Sequence, residues 1–113
     1  SIAFFINGEP LLVLASGDGM VDDKKLAKRY EVGRKKVKIA KPDQLIEVWG
    51  YPPGGVPPLG HRTSNIPILI DESLQRFETV YAAGGAHNAI FGVKLASLVE
   101  SVDGTYADVR KEG

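Results

Sequence analysis

Short apolar runs separated by turn-forming residues dominate the first part of the chain. The runs at 2–6 and 11–15 flank the sequence Asn7-Gly8-Glu9-Pro10, and this arrangement predicts a β-hairpin. Because the first run has no charged residue, we expect its strand to be buried on both faces. Similar patterns predict strands at 36–40, 66–70, 79–83, 88–91 and 106–109, with Pro67 at the start or edge of its strand.

Two further segments have the apolar spacing of helices. Asp22 or Asp23 can cap a helix that runs to about Tyr30, and the narrow apolar stripe of this segment predicts a surface helix. A later segment predicts a helix that packs on the core, because four apolar residues occupy its i, i+3, i+4 and i+7 positions: Leu95, Leu98, Val99 and Val102.

A helix is also predicted in the middle of the chain. Pro42 suits its first turn, and Gly50 suits the position just after its end. We expect Leu45, Ile46 and Trp49 to share the buried face of this helix.

The residues from Gly50 to His61, with the sequence GYPPGGVPPLGH, contain four prolines and four glycines; we call them the signature segment. Proline fixes φ and removes an N–H donor, whereas glycine admits positive φ and lets a ligand approach the main chain. The segment therefore predicts a shaped loop whose amides can face a ligand. A tight surface connection between a helix and a strand is the alternative interpretation.

The composition is that of a single globular domain. The chain has 113 residues, of which 43% are hydrophobic and 25% are charged. Charged residues, glycine or proline interrupt every apolar run, so no segment resembles a transmembrane span. Cysteine is absent, which excludes disulfides and thiolate nucleophiles and is compatible with the cytoplasm.

Charge is distributed unevenly along the chain. Residues 24–41 contain nine of the 14 basic residues and one acidic residue, a balance of +8. Because the whole chain is neutral, the remaining residues sum to −8. The basic segment is either an ordinary solvated face or a surface for a nucleic-acid backbone.

The sequence lacks the usual sets of catalytic side chains. Its two histidines, His61 and His87, are isolated, and no Gly-x-Ser-x-Gly nucleophile motif is present. Two separate histidines without cysteine do not form a common zinc site. We therefore expect neither a nucleophilic triad nor a metal or other cofactor.

The signature segment resembles that of the prolyl-tRNA editing family. This family comprises YbaK/ProX-like deacylases of Cys-tRNA(Pro) and Ala-tRNA(Pro) and the insertion domain of prolyl-tRNA synthetases. The matching positions are Gly50, Tyr51, Gly54, Gly55, Pro58, Leu59 and Gly60. Other segments agree in order and spacing, so that the similarity covers nearly the whole chain: Gly17-Asp18, Lys24-Lys25-Leu26, Ile68 to Leu74, Val80-Tyr81 and Gly84-Gly85.

The resemblance implies an α+β domain over residues 1–113, with a mixed, strongly twisted, barrel-like sheet flanked by a few helices. It also implies a cytoplasmic trans-editing hydrolase that removes the amino acid from misacylated tRNA(Pro) by positioning the substrate and a water molecule. The implied partners are tRNA and prolyl-tRNA synthetase, not DNA or a membrane. A non-catalytic module that binds tRNA or a synthetase is the alternative, and a binder of small molecules is a third interpretation.

The resemblance also assigns roles to individual residues. The residues implied in catalysis are Gly54, Gly55 and Asp71, although Asp71 equally suits a helix N-cap. The residues implied in substrate binding are Tyr51, Val56, Pro57, Pro58, Leu59, Gly60, Gly84, Gly85 and His87. Those implied in tRNA binding are Lys24, Lys25, Lys28, Arg29, Lys35 and Lys36.

One feature of the family is not matched. Its members carry a lysine in the first strand that contacts the terminal phosphate region of tRNA. Ser1 and Ile2 match the residues that follow this lysine, so its position would fall immediately before Ser1. We expect the sequence to be either a fragment that lacks the family's N-terminal segment or a degenerate member, and the absence of an initial methionine favours a fragment.

Overall fold

The computed structural model describes residues 2–15, 20–52, 56–58, 61, 65–83 and 90–111. In chain order, the strands and α-helices in these ranges are β1 (Ile2–Ile6), β2 (Glu9–Leu14), α1 (Asp23–Arg29), β3 (Val37–Ile39), α2 (Pro42–Gln44), β4 (Ile68–Asp71), β5 (Thr79–Ala83), β6 (Ile90–Lys94), α3 (Leu95–Val102) and β7 (Thr105–Ala107). The helix α2 continues as a π-helical turn over Leu45–Trp49, and short 3-10 turns occupy Arg34–Lys36 and Glu72–Arg76.

Five strands form one mixed sheet in the order β3-β1-β2-β4-β7. The strand β1 is antiparallel to both β2 and β3, whereas β2, β4 and β7 run parallel to one another. The strands β5 and β6 form a separate antiparallel pair. The predicted α+β class, with a mixed sheet flanked by helices, is confirmed. No helix in the described ranges is both long and apolar enough to cross a lipid bilayer.

The first hairpin confirms the prediction from the apolar runs. Ile6 faces Glu9 across the turn, so Asn7 and Gly8 alone make the connection. Both have positive φ, of 50° and 85°, as a two-residue turn of type I′ requires. The turn is therefore shorter than the four-residue gap in the hydrophobic pattern.

The sheet has a hydrophobic cluster on each face. One cluster joins the strands to the π-helical turn, to α3, to the inner side of the β5–β6 hairpin and to the signature segment; we call this side of the sheet the signature face. The other cluster joins the same strands to α1, and we call this side the α1 face. Alternate residues of β2 divide between the clusters, since Leu12 and Leu14 belong to the signature face and Leu11 and Val13 to the α1 face.

The predicted helices are present. Asp22 caps α1, and its side chain accepts a hydrogen bond of 2.9 Å from the backbone N–H of Lys24. Leu26 and Ala27 are the buried residues of α1, as its narrow stripe predicts. The third helix covers Leu95–Val102, as its apolar spacing predicts.

One expected core residue lies outside the core. Leu45 and Trp49 are buried, but the Ile46 side chain is 51% exposed. A π-helical turn closes hydrogen bonds between residues five apart and is wider than an α-helical turn. This change in periodicity keeps Leu45 and Trp49 on one side and turns Ile46 away from it. The prediction that all three share a buried face was therefore wrong for Ile46.

The strand boundaries differ modestly from those predicted. Pro67 is exposed and immediately precedes β4, as expected for a proline at a strand start. The returning strand of the second hairpin extends to Lys94, three residues beyond its predicted end at Phe91. The last strand ends at Ala107 rather than at Val109, although Val109 is buried against the α1 face.

Candidate functional site

The signature segment begins where the π-helical turn ends. The N–H of Gly50 donates to the Leu45 carbonyl oxygen at 2.9 Å, five residues back, and Gly50 has a φ of +85°. A side chain at this φ would be strained, so glycine fits the position better than any other residue. The prediction that Gly50 ends the helix is confirmed. The backbone leaves the helical conformation here and continues into Tyr51.

Trp49 fixes this end of the segment to the core. Its side chain has no solvent exposure, and its ring meets the edge of the Phe5 ring at a centroid distance of 5.7 Å and an angle of 73°. Within the described part of the chain, Trp49 Nε1 is a buried nitrogen without a hydrogen-bond partner. A buried donor that is not bonded costs stability. The anchor of the signature segment thus combines strong packing with an unsatisfied polar group.

The described remainder of the segment is held on the same side of the sheet. Val56 is 6% exposed and belongs to the signature-face cluster, and Tyr51 packs against that cluster. Pro57 and Pro58 are buried. His61 Nε2 lies 2.6 Å from the Pro57 carbonyl oxygen. Since a carbonyl can only accept, Nε2 carries the proton and donates it to this bond.

The predicted site is only partly covered by the described residues. Tyr51 and Val56 both pack on the signature face, and Pro57 and Pro58 follow Val56 in the chain and are buried. Seven of the predicted site residues lie outside the described residues: Gly54, Gly55, Leu59, Gly60, Gly84, Gly85 and His87. Their predicted roles stay predictions.

Asp71 lies on the other side of the sheet. Consecutive residues of β4 face opposite sides of the sheet, with Leu69 on the α1 face and Ile70 on the signature face. Asp71 has the parity of Leu69 and lines an open groove with Lys25 and Asp108. The described residues therefore do not bring Asp71 together with Val56 and its neighbours.

The carboxylate of Asp71 has a clear structural role. The residue is 2% exposed and precedes the 3-10 turn Glu72–Arg76. One carboxylate oxygen accepts from the Ser73 N–H at 3.1 Å, and the other accepts from the Ser73 hydroxyl at 2.7 Å. The N-cap alternative for Asp71 is thus confirmed, while its predicted part in catalysis stays a prediction.

The groove beside Asp71 has a volume of about 610 Å³ and is lined mainly by charged side chains. It lies between α1, the turn after β4 and the residues after β7. Lys25 Nζ and the carboxylate of Asp108 pair across it at 2.7 Å. The other lining residues are Asp71, Glu72, Ser73, Gln75, Arg110 and Lys111. The described residues contain no group of three or more histidine, cysteine, aspartate or glutamate side chains placed to hold a metal ion.

The predicted tRNA-binding residues do not form one surface of equivalent groups. Lys25 is engaged with Asp108. Arg29 has a side-chain hydrogen bond with Tyr30, and burial raises the pKa of the Tyr30 phenol despite the opposing effect of the Arg29 charge. Lys24 and Lys28 are exposed on α1, and Lys35 and Lys36 are exposed on the 3-10 turn before β3. The charge of these residues therefore does not by itself indicate which of them would contact an RNA, and their positions on the surface also matter.

The β5–β6 hairpin presents an aromatic side chain that the sequence analysis did not single out for function. Tyr81 is 75% exposed and lies opposite Gly92. A Cβ atom at Gly92 would be only 3.0 Å from Tyr81 Cε1, so the ring covers the glycine. In the sequence, a glycine paired with an aromatic residue across a hairpin would have indicated this contact.

Comparisons with known proteins identify the family of this chain through a family model. A family model described as the aminoacyl-tRNA editing domain matches residues 1–100. The uncharacterized protein YwhH of Bacillus subtilis (strain 168) is 31% identical over 114 residues, which is 99% of this chain and 70% of YwhH. The residues matched by the family model include the whole signature segment.

Solved structures support the same assignment. A protein described as a candidate trans-editing enzyme for prolyl tRNA synthetase has a TM-score of 0.91 and 30% identity, over 99% of this chain and 69% of that chain. The hypothetical protein APE2540 has a TM-score of 0.87 and 28% identity, over 98% of this chain and 72% of that chain. The fold described above is therefore shared along nearly the full length of this chain.

Proposed function

Since this chain belongs to the aminoacyl-tRNA editing domain family, we propose that it is a trans-editing hydrolase that removes the amino acid from Ala-tRNA(Pro) or Cys-tRNA(Pro) in the cytoplasm. The observation that carries the proposal is the anchoring of the signature segment. The segment begins directly after Trp49, which is buried. Val56 and Pro58 are also buried, and His61 donates a hydrogen bond to the carbonyl oxygen of Pro57. The described residues Tyr51 and Val56, which precede and follow the Gly54-Gly55 pair, thus pack in the core of the signature face.

The chemistry requires positioning more than a reactive side chain. An aminoacyl ester is already activated by its α-ammonium group and by the neighbouring ribose hydroxyl. Orientation of the ester and of a water molecule, with amides directed at the developing oxyanion, supplies a large part of the acceleration. We assign the amides, or the close backbone approach, to Gly54 and Gly55. Pro57 and Pro58 keep this part of the loop rigid.

The remaining predicted site residues are given supporting roles in the proposal. Tyr51 and Val56 form the apolar base of the signature segment. In sequence, Gly84, Gly85 and His87 lie between β5 and β6 and outside the described residues, and we assign these residues to substrate binding. Asp71 acts first as the cap of the turn after β4, so a direct part in hydrolysis requires a separate test.

The direct test is hydrolysis of misacylated tRNA. The chain is incubated with Ala-tRNA(Pro), Cys-tRNA(Pro) and correctly charged Pro-tRNA(Pro), and the release of amino acid is measured. We expect release from at least one of the misacylated substrates and not from Pro-tRNA(Pro). Salt-sensitive binding without any release would instead support a non-catalytic module that binds tRNA.

A glycine substitution connects the activity to the signature segment. We expect Gly54→Ala to abolish release of the amino acid while the protein remains folded. Gly33→Ala is the matched control, because no atom lies within 4 Å of the position of its added Cβ. Normal turnover by the Gly54→Ala protein would contradict the role proposed for this loop.

A further inference from the structure

The basic residues of the chain fall into two groups with different surroundings. Those on and around α1 have acidic neighbours, since Asp22 and Asp23 precede Lys24, and Arg34 donates to the Asp23 carboxylate at 3.1 Å. Residues 35–42 contain four basic residues, Lys35, Lys36, Lys38 and Lys41, and no acidic residue. The neighbouring strand β1 has no charged residue either. The positive potential is therefore least compensated along β3.

The register of the sheet places one of these lysines close to the signature segment. Lys38 of β3 is paired with Phe5 of β1, so their Cβ atoms are about 5 Å apart. The Phe5 ring in turn contacts Trp49, the residue before Gly50. Phe5 and Trp49 thus connect Lys38 to the start of the signature segment.

The orientation of Lys38 follows from its neighbours. Val37 packs against the α1-face cluster, and Ala40 packs against the signature-face cluster. The N–H of Ala40 donates to the Ala3 carbonyl oxygen at 2.9 Å, which continues the ladder beyond β3. Alternation along this extended backbone puts Lys38 on the side of Ala40 and Phe5. Lys38 is thus an exposed cation at the edge of the signature face.

Two more lysines extend this edge in both directions. Lys36 precedes β3, Lys41 follows it, and both are exposed; we call Lys36, Lys38 and Lys41 the edge strip. Lys36 and Lys38 are two residues apart and Lys38 and Lys41 are three apart, so in extended backbone their Cα atoms would be separated by at most about 7 Å and about 10 Å. Within the described ranges these three side chains form no ion pair.

Lysines on an edge strand also prevent the strand from pairing with another sheet. That role alone does not require them to be concentrated where the chain is free of acidic residues, or next to the signature segment.

We propose that the edge strip binds the sugar-phosphate backbone of the acceptor end of the tRNA substrate and directs it toward the signature segment. The inference deepens the proposed function and rests on it for the identity of the RNA. Lys38 contacts the RNA most closely, with Lys36 and Lys41 on either side. Lys24 and Lys28, on the α1 face, contribute little.

The experiment measures the binding of uncharged tRNA between about 50 and 200 mM salt. The slope of log K against log salt reports the number of phosphate contacts. We expect Lys38→Ala to reduce this slope by about 1 and the triple variant of the edge strip to reduce it by about 3. The matched control is the double variant Lys94→Ala/Lys111→Ala, which removes two exposed lysines outside residues 24–41 and leaves the slope unchanged. The double variant Lys24→Ala/Lys28→Ala is measured beside it, and we expect it to change the slope less than the edge-strip variants do. Thermal unfolding verifies that all variants fold.

The result that overturns the inference is a slope that stays unchanged in the edge-strip variants, whether or not it falls in the Lys24→Ala/Lys28→Ala variant. Hydrolysis of misacylated tRNA by the same proteins separates this failure from a failure of the proposed function. If the chain hydrolyses the substrate and only the α1 lysines affect binding, the function stands and the edge strip is refuted. If the edge strip controls binding but no hydrolysis occurs, the binding surface stands and the enzymatic proposal is refuted.

Discussion

The two faces of the sheet bury similar aliphatic side chains but differ in how their polar groups are satisfied. On the α1 face the polar groups pair with one another, as in Lys25 with Asp108 and Asp71 with Ser73. On the signature face, Trp49 Nε1 is buried without a hydrogen-bond partner among the described residues, and Lys36, Lys38 and Lys41 form no ion pair there. Functional sites commonly retain groups that the fold itself does not satisfy. The comparison therefore favours the signature face as the place of the proposed function.

The strongest test of this contrast removes one core residue from each face. We expect Trp49→Ala to lower the free energy of unfolding by about 3–5 kcal/mol and Leu26→Ala to lower it by about 2–5 kcal/mol, because both side chains have no exposure. Only Trp49→Ala should also reduce hydrolysis per folded molecule, since Trp49 anchors the signature segment. Denaturant unfolding and single-turnover release of the amino acid measure the two effects.

A milder variant keeps this test valid if Trp49→Ala does not fold. Trp49→Phe retains an aromatic ring and removes the unbonded N–H, so it should cost less stability. Equal hydrolysis per folded molecule in the Trp49 and Leu26 variants would show that the two faces do not differ in function.

The second prediction compares the free space at two glycines. A Cβ atom at Gly104 would lie 2.5 Å from Cδ1 of Ile70, which is fully buried in the signature-face cluster. We expect Gly104→Ala to lower the free energy of unfolding by about 1–3 kcal/mol through overpacking. Gly33→Ala meets no atom within 4 Å, and we expect it to stabilise the protein by about 0.4–1 kcal/mol.

Urea unfolding of the two alanine variants measures both changes. A Gly104→Ala protein as stable as the parent would mean that Ile70 moves away at little cost and that packing on the signature face is loose.

The third and smallest prediction asks whether the α1 face takes part in the chemistry through Asp71. Asp71→Ala removes the cap and should cost about 0.5–2 kcal/mol. Asp71→Asn retains an oxygen that can accept from the Ser73 N–H, so we expect a smaller cost and hydrolysis that is nearly unchanged. Thermal unfolding and deacylation rates of both variants measure these effects. Lost hydrolysis in a stable Asp71→Asn protein would assign the carboxylate to catalysis, as the sequence resemblance predicts.

Local features of the fold were predictable because local chemistry determines them. Asn7-Gly8 specifies a tight hairpin turn, since both residues adopt positive φ at low cost. Asp22 caps α1 through its own side chain, and Gly50 ends the next helix with positive φ. The signature segment was recognisable for the same reason, because its prolines and glycines are contiguous in sequence.

Other features depend on contacts between distant residues and could not be predicted from the sequence. The parallel pairing of β2, β4 and β7 joins segments that are far apart in the chain, and no local pattern specifies it. Because of this pairing, the Asp71 side chain faces α1. The π-helical turn likewise depends on how Trp49 packs, and it caused the wrong prediction for Ile46. The different surroundings of the basic residues became visible only through the register between β3 and β1.

The position of β7 at the edge of the sheet has a consequence for biosynthesis. The strand β4 is complete at Asp71, but the strand that covers its outer edge begins only at Thr105. During translation, the apolar strand Ile68–Asp71 therefore leaves the ribosome with one row of backbone amides and carbonyls unpaired. The growing polypeptide must avoid aggregation at this strand until more than thirty further residues have been added. Chaperones that recognise extended apolar segments would find their binding site in the nascent protein here.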